Sequence, residues 1–108
     1  MKPLIFTSLL VLSSTALADE VTSSNAINFI GQHVTVCGKA VEVTTVGSDT
    51  FINLDKKHHN KDFYFYYYGR DIDKTKLLSK KVCGTGLVLN HKNKSQIIIN
   101  HPSELNIQ

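Results

Sequence analysis

The chain alternates apolar and polar residues over most of its length after residue 32, and a period of two predicts β-strands. Val34 and Val36 share one face of the first run. Val41 and Val43 have the opposite parity, so we expect a β-bulge near Gly38 to shift the register. Five strands are predicted in this way, at residues 33–46, 50–54, 63–68, 81–90 and 95–100.

Two other segments predict short helices. In residues 23–32, Ser23 or Ser24 can cap the first turn, and Gly31 can end the helix in the left-handed conformation. The apolar face predicted there at helical spacing comprises Ala26, Ile27 and Ile30. The segment 71–80 can hold one or two further turns, anchored by two leucines.

This order of elements indicates an all-β domain with short helices. An N-terminal helix is followed by three strands, a second short helix and two strands. That is the order of a five-stranded OB-fold barrel, in which the middle helix lies between strands three and four.

The third predicted strand, residues 63–68, is aromatic at every position. Alternation places Phe63, Phe65 and Tyr67 on one face and Tyr64, Tyr66 and Tyr68 on the other. A domain of this size has a single small core, which can take only one of the two sets. The other set needs a covering helix, a partner or a ligand.

The first 18 residues have the features of a secretory signal peptide. Lys2 supplies the positive charge, residues 4–12 form a short apolar run, and Ala16–Ala18 is a cleavage pattern. The run is shorter than the roughly 20 residues that a membrane anchor needs. We therefore expect cleavage after Ala18, a periplasmic or secreted location, and one monomeric domain of residues 19–108. A buried N-terminal helix is the alternative.

Three segments resemble small exported bacterial OB-fold domains of the group that includes anticodon-binding-like nucleic-acid-binding modules. They are GQHVTVCGKAVEV (31–43), GSDTFINL (47–54) and KKVCGTGLVLNHKNKSQIIINHPSELNI (80–107). The resemblance implies a barrel in which the first and fourth predicted strands pair, and it implies nucleic-acid binding. The third strand departs from the pattern, because it is aromatic where such domains are aliphatic.

The chain has two cysteines, Cys37 and Cys83, at corresponding positions of the first and fourth predicted strands. If those strands pair, the two residues come within the Cα separation of about 5.5 Å that a disulfide needs. Export would bring them into an oxidising compartment, so we expect a structural disulfide. Two reduced thiols in the core are the alternative. The cysteines do not form a C-x-x-C pair, which argues against a redox site, and no histidine lies next to them, which argues against a zinc site.

The tyrosines of the third predicted strand are the best lead to a function. OB-folds bind ligands on strands two and three, where aromatic rings stack with bases and lysines neutralise phosphates. The predicted ligand-binding residues are Tyr64, Tyr66, Tyr68, Lys56, Lys57, Lys61 and Arg70. Most of the 12 basic residues lie between positions 56 and 94, and such a basic face could bind an anionic polymer such as single-stranded nucleic acid, although this distribution by itself favours a solvated surface. Cross-strand aromatic packing and a solvated lysine-rich surface are the alternatives.

No sequence pattern typical of a catalytic site is present, such as G-x-S-x-G, a phosphate-binding glycine loop or H-E-x-x-H. His58 and His59 are adjacent in a lysine-rich loop, which favours solvent exposure over metal binding. We expect no enzymatic activity, no cofactor and no metal. The competing hypothesis is a periplasmic accessory or inhibitor module that binds a protein partner through the aromatic strand.

Overall fold

The computed structural model describes residues 20–108, which form eight strands and a few short helices. The predicted signal peptide lies outside the described residues. The strands are β1 (Glu20–Thr22), β2 (His33–Val46), β3 (Asp49–Leu54), β4 (Phe63–Tyr67), β5 (Lys81–Leu87), β6 (Leu89–His91), β7 (Lys94–Ile99) and β8 (Leu105–Ile107). Within these residues, no helix has the length and apolar character needed to cross a membrane.

The strands form one sheet in the order β6-β7-β4-β3-β2-β5-β8, and β1 pairs with β2 outside this path. Pairing is parallel between β1 and β2 and between β4 and β7, and antiparallel elsewhere. The path is open, with β6 at one end and β8 at the other. The fold is therefore mostly β, as predicted, and the first and fourth predicted strands do pair, as β2 and β5.

The predicted five-stranded barrel was wrong in two respects, since the structure has eight strands and their path is not closed. One cause is Val88, which divides the predicted strand 81–90 into β5 and β6. The N–H of Val88 donates to the carbonyl of Gln32, and its own carbonyl accepts from the N–H of Gly31, so both groups leave the sheet ladder. The other cause is that β1 and β8 have three residues each, too few for an alternating pattern to register.

The long strand β2 contains the predicted irregularity, slightly farther along the chain than expected. Its register against β3 shifts between Ala40 and Glu42. Val36 and Ala40 are buried before the shift and Val43 is buried after it, which explains the change of parity in the sequence. The first part of β2 pairs with β5 and the second part pairs with β3, so one strand serves both halves of the sheet.

The core is built on the inward face of β4. Phe63 and Phe65 are fully buried, with ring centroids 4.9 Å apart, and Tyr67 is also buried. The structure thus shows which aromatic set faces inward, a choice that the sequence pattern had left open. Gly84 of β5 lies against Phe65: a Cβ atom at that position would stand 2.6 Å from the ring. Fully buried aliphatic residues from β2, β3, β5 and β7 complete the core: Val36, Ile52, Leu54, Val82, Ile97 and Ile99.

The N-terminal helix is a 3-10 helix, Ser23–Phe29, so its predicted face was wrong apart from Ala26 and its predicted serine cap was wrong, while Gly31 has the predicted positive φ. A 3-10 helix has three residues per turn, which places Ser23, Ala26 and Phe29 inward. Ile27 and Ile30 of the predicted apolar face are exposed. No side chain caps the helix, because the Ser23 hydroxyl instead donates to Asp55 Oδ2, at 2.5 Å.

The second predicted helix is present as α1, Lys74–Leu77, between β4 and β5. Asp73 caps it by accepting from the Thr75 N–H, and Leu77 is buried. Elsewhere, Lys92 and Asn93 adopt positive φ in the two-residue turn that joins β6 to β7, as such a tight hairpin turn requires.

The two cysteines form the predicted disulfide. Cys37 and Cys83 are direct neighbours in the antiparallel register of β2 and β5, with Cα atoms 4.1 Å apart. Both side chains are buried. The bond joins residues 46 positions apart and ties the first half of the sheet to the second. A structural disulfide is compatible with an exported protein.

Candidate functional site

The outward faces of β3 and β4 carry a continuous group of aromatic rings. The register places Phe51 opposite Tyr66 and Asn53 opposite Tyr64, so these side chains share the outer face. The ring centroid of Phe51 lies 5.8 Å from that of Tyr64 and 5.3 Å from that of Tyr66. The ring of Tyr68 follows, 5.2 Å from Tyr66. We call these four residues the aromatic row.

Accessibility increases along the aromatic row. The side chain of Tyr64 is 3% exposed, Tyr66 is partly exposed and Tyr68 is 75% exposed. Burial raises the pKa of the Tyr64 hydroxyl. The pKa of Tyr66 is raised first by desolvation and then by the neighbouring Asp49 carboxylate and Tyr68 hydroxyl. Both tyrosines therefore remain neutral hydrogen-bonding groups at physiological pH.

Lys61, just before β4, lies over the buried end of the aromatic row. Its Nζ atom is 4.3 Å from the ring centroid of Tyr64 and 5.6 Å from that of Phe51, which are cation–π distances. Desolvation lowers the pKa of Lys61 and the positive charge of Lys94 lowers it further, while the negative charge of Glu42 opposes the shift. Two ammonium groups are thus held near each other on this face.

The remaining predicted basic residues have other surroundings. Lys56 forms an ion pair with Asp62 at 3.0 Å, and Arg70 donates to the carbonyl of Gly47 at 2.6 Å. Lys57 precedes a short 3-10 helix, His58–Asn60. Of the four predicted basic residues, Lys61 is the one whose side chain lies over the aromatic row.

A basic cavity of about 370 Å³ opens between the loop before β4 and the β6–β7 hairpin. Its lining consists of Phe51, His58, His59, Lys61, Tyr64, His91, Lys92 and Lys94. Three lysines, three histidines and two rings line it, and no carboxylate does. The sequence analysis missed the contribution of the hairpin, because the parallel pairing of β4 with β7 is what brings Lys94 beside Lys61.

A second cavity, of about 410 Å³, lies on the other side of Phe51 and Lys61; we call it the Glu42 cavity. Glu42 Oε1 accepts from Asn53 Nδ2 at 2.8 Å and from the His58 N–H at 2.9 Å. The hydrogen bond from Asn53 is the main cause of the lowered pKa of Glu42, which is therefore ionised at neutral pH. Thr44 and Val46 complete the lining.

Asn53 has one atom without a partner. Its side chain is 2% exposed, and in the part of the chain that the structure describes its Oδ1 is the buried side-chain atom that makes no hydrogen bond. Sequence reasoning missed both Asn53 and Phe51. The alternation of β3 could have found them, since Ile52 between them is a core residue and they must therefore face outward.

No protein-family model and no curated protein sequence matches the chain. Several solved structures, in contrast, share its fold. The OBody AM1L10 bound to hen egg-white lysozyme is similar with a TM-score of 0.58 and 16% identity, over 88% of this chain and 95% of that one. The OBody AM3L09, also bound to hen egg-white lysozyme, is similar with a TM-score of 0.58 and 14% identity, over 86% of this chain and 96% of that one.

A third similar structure is a chain assigned as an aspartyl-tRNA synthetase from Leishmania major Friedlin. Its TM-score is 0.57 at 9% identity, and the match covers 93% of this chain and 23% of that one. At these identities the likeness concerns the fold alone. The chain described here therefore has an OB-like fold.

Proposed function

We propose that this protein is an exported, monomeric, non-enzymatic binding module for single-stranded nucleic acid, and that the outer face of β3 and β4 holds the ligand. The observation that carries the proposal is the basic cavity, which adjoins the buried end of the aromatic row, while the other end of the row is exposed at Tyr68. Positive charge and open rings on one surface are the two features that single-stranded nucleic acid requires.

The two features would act on different parts of the ligand. Phosphate groups would occupy the basic cavity, where Lys61, Lys92 and Lys94 replace counterions. Bases would stack on Tyr66 and Tyr68, whose rings are accessible. Stacking on an aromatic ring contributes about 1–3 kcal/mol per base and tolerates any sequence.

A protein partner is the second candidate function. The same outer face exposes apolar side chains beyond the tyrosines, including Val46 and Ile98. Ile98 is opposite Tyr66 in the β4–β7 register, so the apolar surface is continuous. The two similar OBody chains are bound to a protein, which is compatible with this use of the fold.

Fluorescence anisotropy with a labelled single-stranded DNA nonamer tests the first function. We expect binding at 50 mM salt that weakens by roughly 20-fold at 200 mM, the effect of three phosphate contacts on a single strand. Tyr68→Ala should weaken binding by about tenfold without affecting folding, because the ring is exposed. Lys94→Ala should weaken binding and also reduce the salt dependence.

Lys76→Ala is the matched control, because Lys76 lies in α1 and lines a different concavity. It removes the same charge and should leave affinity nearly unchanged. Absence of binding at 50 mM salt would contradict the nucleic-acid function. A cross-linked protein partner that the wild type recovers and Tyr68→Ala does not would then favour the second function.

A further inference from the structure

We infer that the Glu42 cavity is a base-recognition site that selects nucleobases carrying an amino group, namely cytosine, adenine or guanine, over thymine or uracil. This inference rests on the proposed function and specifies the part of the ligand that this cavity holds. The cavity shares Phe51 and Lys61 with the basic cavity, so a nucleotide whose phosphate lies in one can place its base in the other.

The orientation of the two polar side chains follows from their hydrogen bonds. Glu42 is ionised and can only accept, so the amide nitrogen of Asn53 must face it. Asn53 Oδ1 is therefore directed away from Glu42. It has no partner among residues 20–108, although the side chain is 2% exposed. A buried acceptor without a donor is costly unless something supplies the donor.

Glu42 offers a second acceptor at the same place. Both of its hydrogen bonds use Oε1, and Oε2 takes part in none within the described residues. Two free acceptors, Asn53 Oδ1 and Glu42 Oε2, thus belong to side chains lining one cavity. The ring of Phe51 and the methyl-bearing side chains of Thr44 and Val46 supply the apolar part of the lining, as a planar heterocycle requires.

This set of acceptors distinguishes the bases by their edges. The exocyclic amino groups of cytosine, adenine and guanine present N–H donors that can satisfy it. Thymine and uracil present a single N3–H donor between two carbonyl oxygens at the corresponding edge, so one carbonyl oxygen would face the carboxylate or the amide oxygen without a hydrogen. The charge of Glu42 adds repulsion against those carbonyls. Lys61 is the long, flexible side chain of the lining and can move aside to admit the base.

Competition against a labelled nonamer with dC9, dA9 and dT9 at 50 mM salt tests this selectivity. We expect dC9 and dA9 to bind about tenfold more tightly than dT9, the discrimination given by a well-formed base contact. This measurement on the wild-type protein needs no variant, so a folding defect cannot obscure it.

Glu42→Gln sharpens the test, because the two donors to Oε1 hold the amide oxygen in place and direct the new NH2 group where Oε2 was. An acceptor becomes a donor, so the preference for dC9 over dT9 should fall to near unity. Glu104→Gln is the matched control: Glu104 also accepts a backbone N–H, from Asn100 at 3.0 Å, and the change in net charge is the same. It should keep the tenfold preference.

The outcomes separate the inference from the proposed function. Equal binding of all three nonamers, with the expected salt dependence, would overturn base selection and leave nucleic-acid binding in place. No binding of any nonamer at 50 mM salt would overturn both. A tenfold preference that Glu42→Gln retains would place base selection outside this cavity and overturn the inference as well.

Discussion

The disulfide should provide a large part of the stability of this domain. Cys37 and Cys83 close a loop between residues 46 positions apart. In the chain-entropy model a loop of this length reduces the entropy of the unfolded chain by about 13–14 cal/mol/K, which is about 4 kcal/mol at 25 °C. Natural domains unfold with only about 5–15 kcal/mol in total. Loss of the bond should therefore cost a large fraction of the free energy of unfolding.

Urea denaturation of oxidised wild type and of Cys37→Ala/Cys83→Ala measures this effect. Alanine is the suitable replacement, because both cysteines are buried and serine would bury two hydroxyl groups. We expect the free energy of unfolding to fall by about 3–4 kcal/mol and the slope m to rise, since the unlinked chain expands further on unfolding.

Two controls separate the covalent bond from ordinary packing. Thr35 and Thr85 are the neighbouring pair on the same face of the same ladder, with hydroxyl oxygens 2.5 Å apart. Their double replacement by alanine should cost only about 0.2–1 kcal/mol, as for other cross-strand pairs. In dithiothreitol the wild type and the cysteine-free variant should converge. A difference of 3–4 kcal/mol that persists in the reductant would refute the entropic origin.

Three further predictions concern single contacts. Gly84→Ala places a Cβ atom 2.6 Å from the ring of Phe65, and overpacking should cost about 1–3 kcal/mol in urea denaturation, partly restored by Phe65→Leu. Tyr67 donates to Asp71 Oδ1 at 2.6 Å, and this hydrogen bond lowers the pKa of Asp71 in the folded protein. The hydrogen bond therefore stabilises the fold fully above the ordinary carboxyl pKa, and the stabilisation is lost as the pH falls through the lower pKa of the folded state. Tyr67→Phe should therefore flatten the loss of stability below about pH 4, and an unchanged acid profile would contradict this role. Lys61→Met should preserve or raise the melting temperature and weaken oligonucleotide binding; a lower melting temperature would show that the charge is structural.

Local alternation predicted much of the fold, because a strand with one buried face alternates apolar and polar residues along the sequence. It separated Phe63, Phe65 and Tyr67 from the other aromatic residues of that strand, and it identified the irregularity of β2. The features that it missed depend on distant contacts. Val88 ends β5 because its backbone bonds to residues 31 and 32. No pattern within residues 81–90 contains that information.

The N-terminal helix and the candidate site also combine features that the local sequence predicts with features that depend on distant contacts. Ser23 was expected to cap an α-helix, but its hydroxyl donates to Asp55, which is 32 positions away. At the site, Tyr66, Tyr68 and Lys61 were named from the third strand alone. Lys94 could not be, because it reaches Lys61 through the pairing of β4 with β7.

Packing alone does not account for the outer face of β4. The core is already complete on the other face, where Phe63 and Phe65 are fully buried. If the outer rings served only to cover the sheet, an aliphatic residue in place of Lys61 would stabilise the fold better. Instead Lys61 is partly desolvated, and its pKa is lowered by burial and by Lys94. Such a local cost is typical of sites kept for binding, where an anion restores the balance of charge that folding leaves unfavourable.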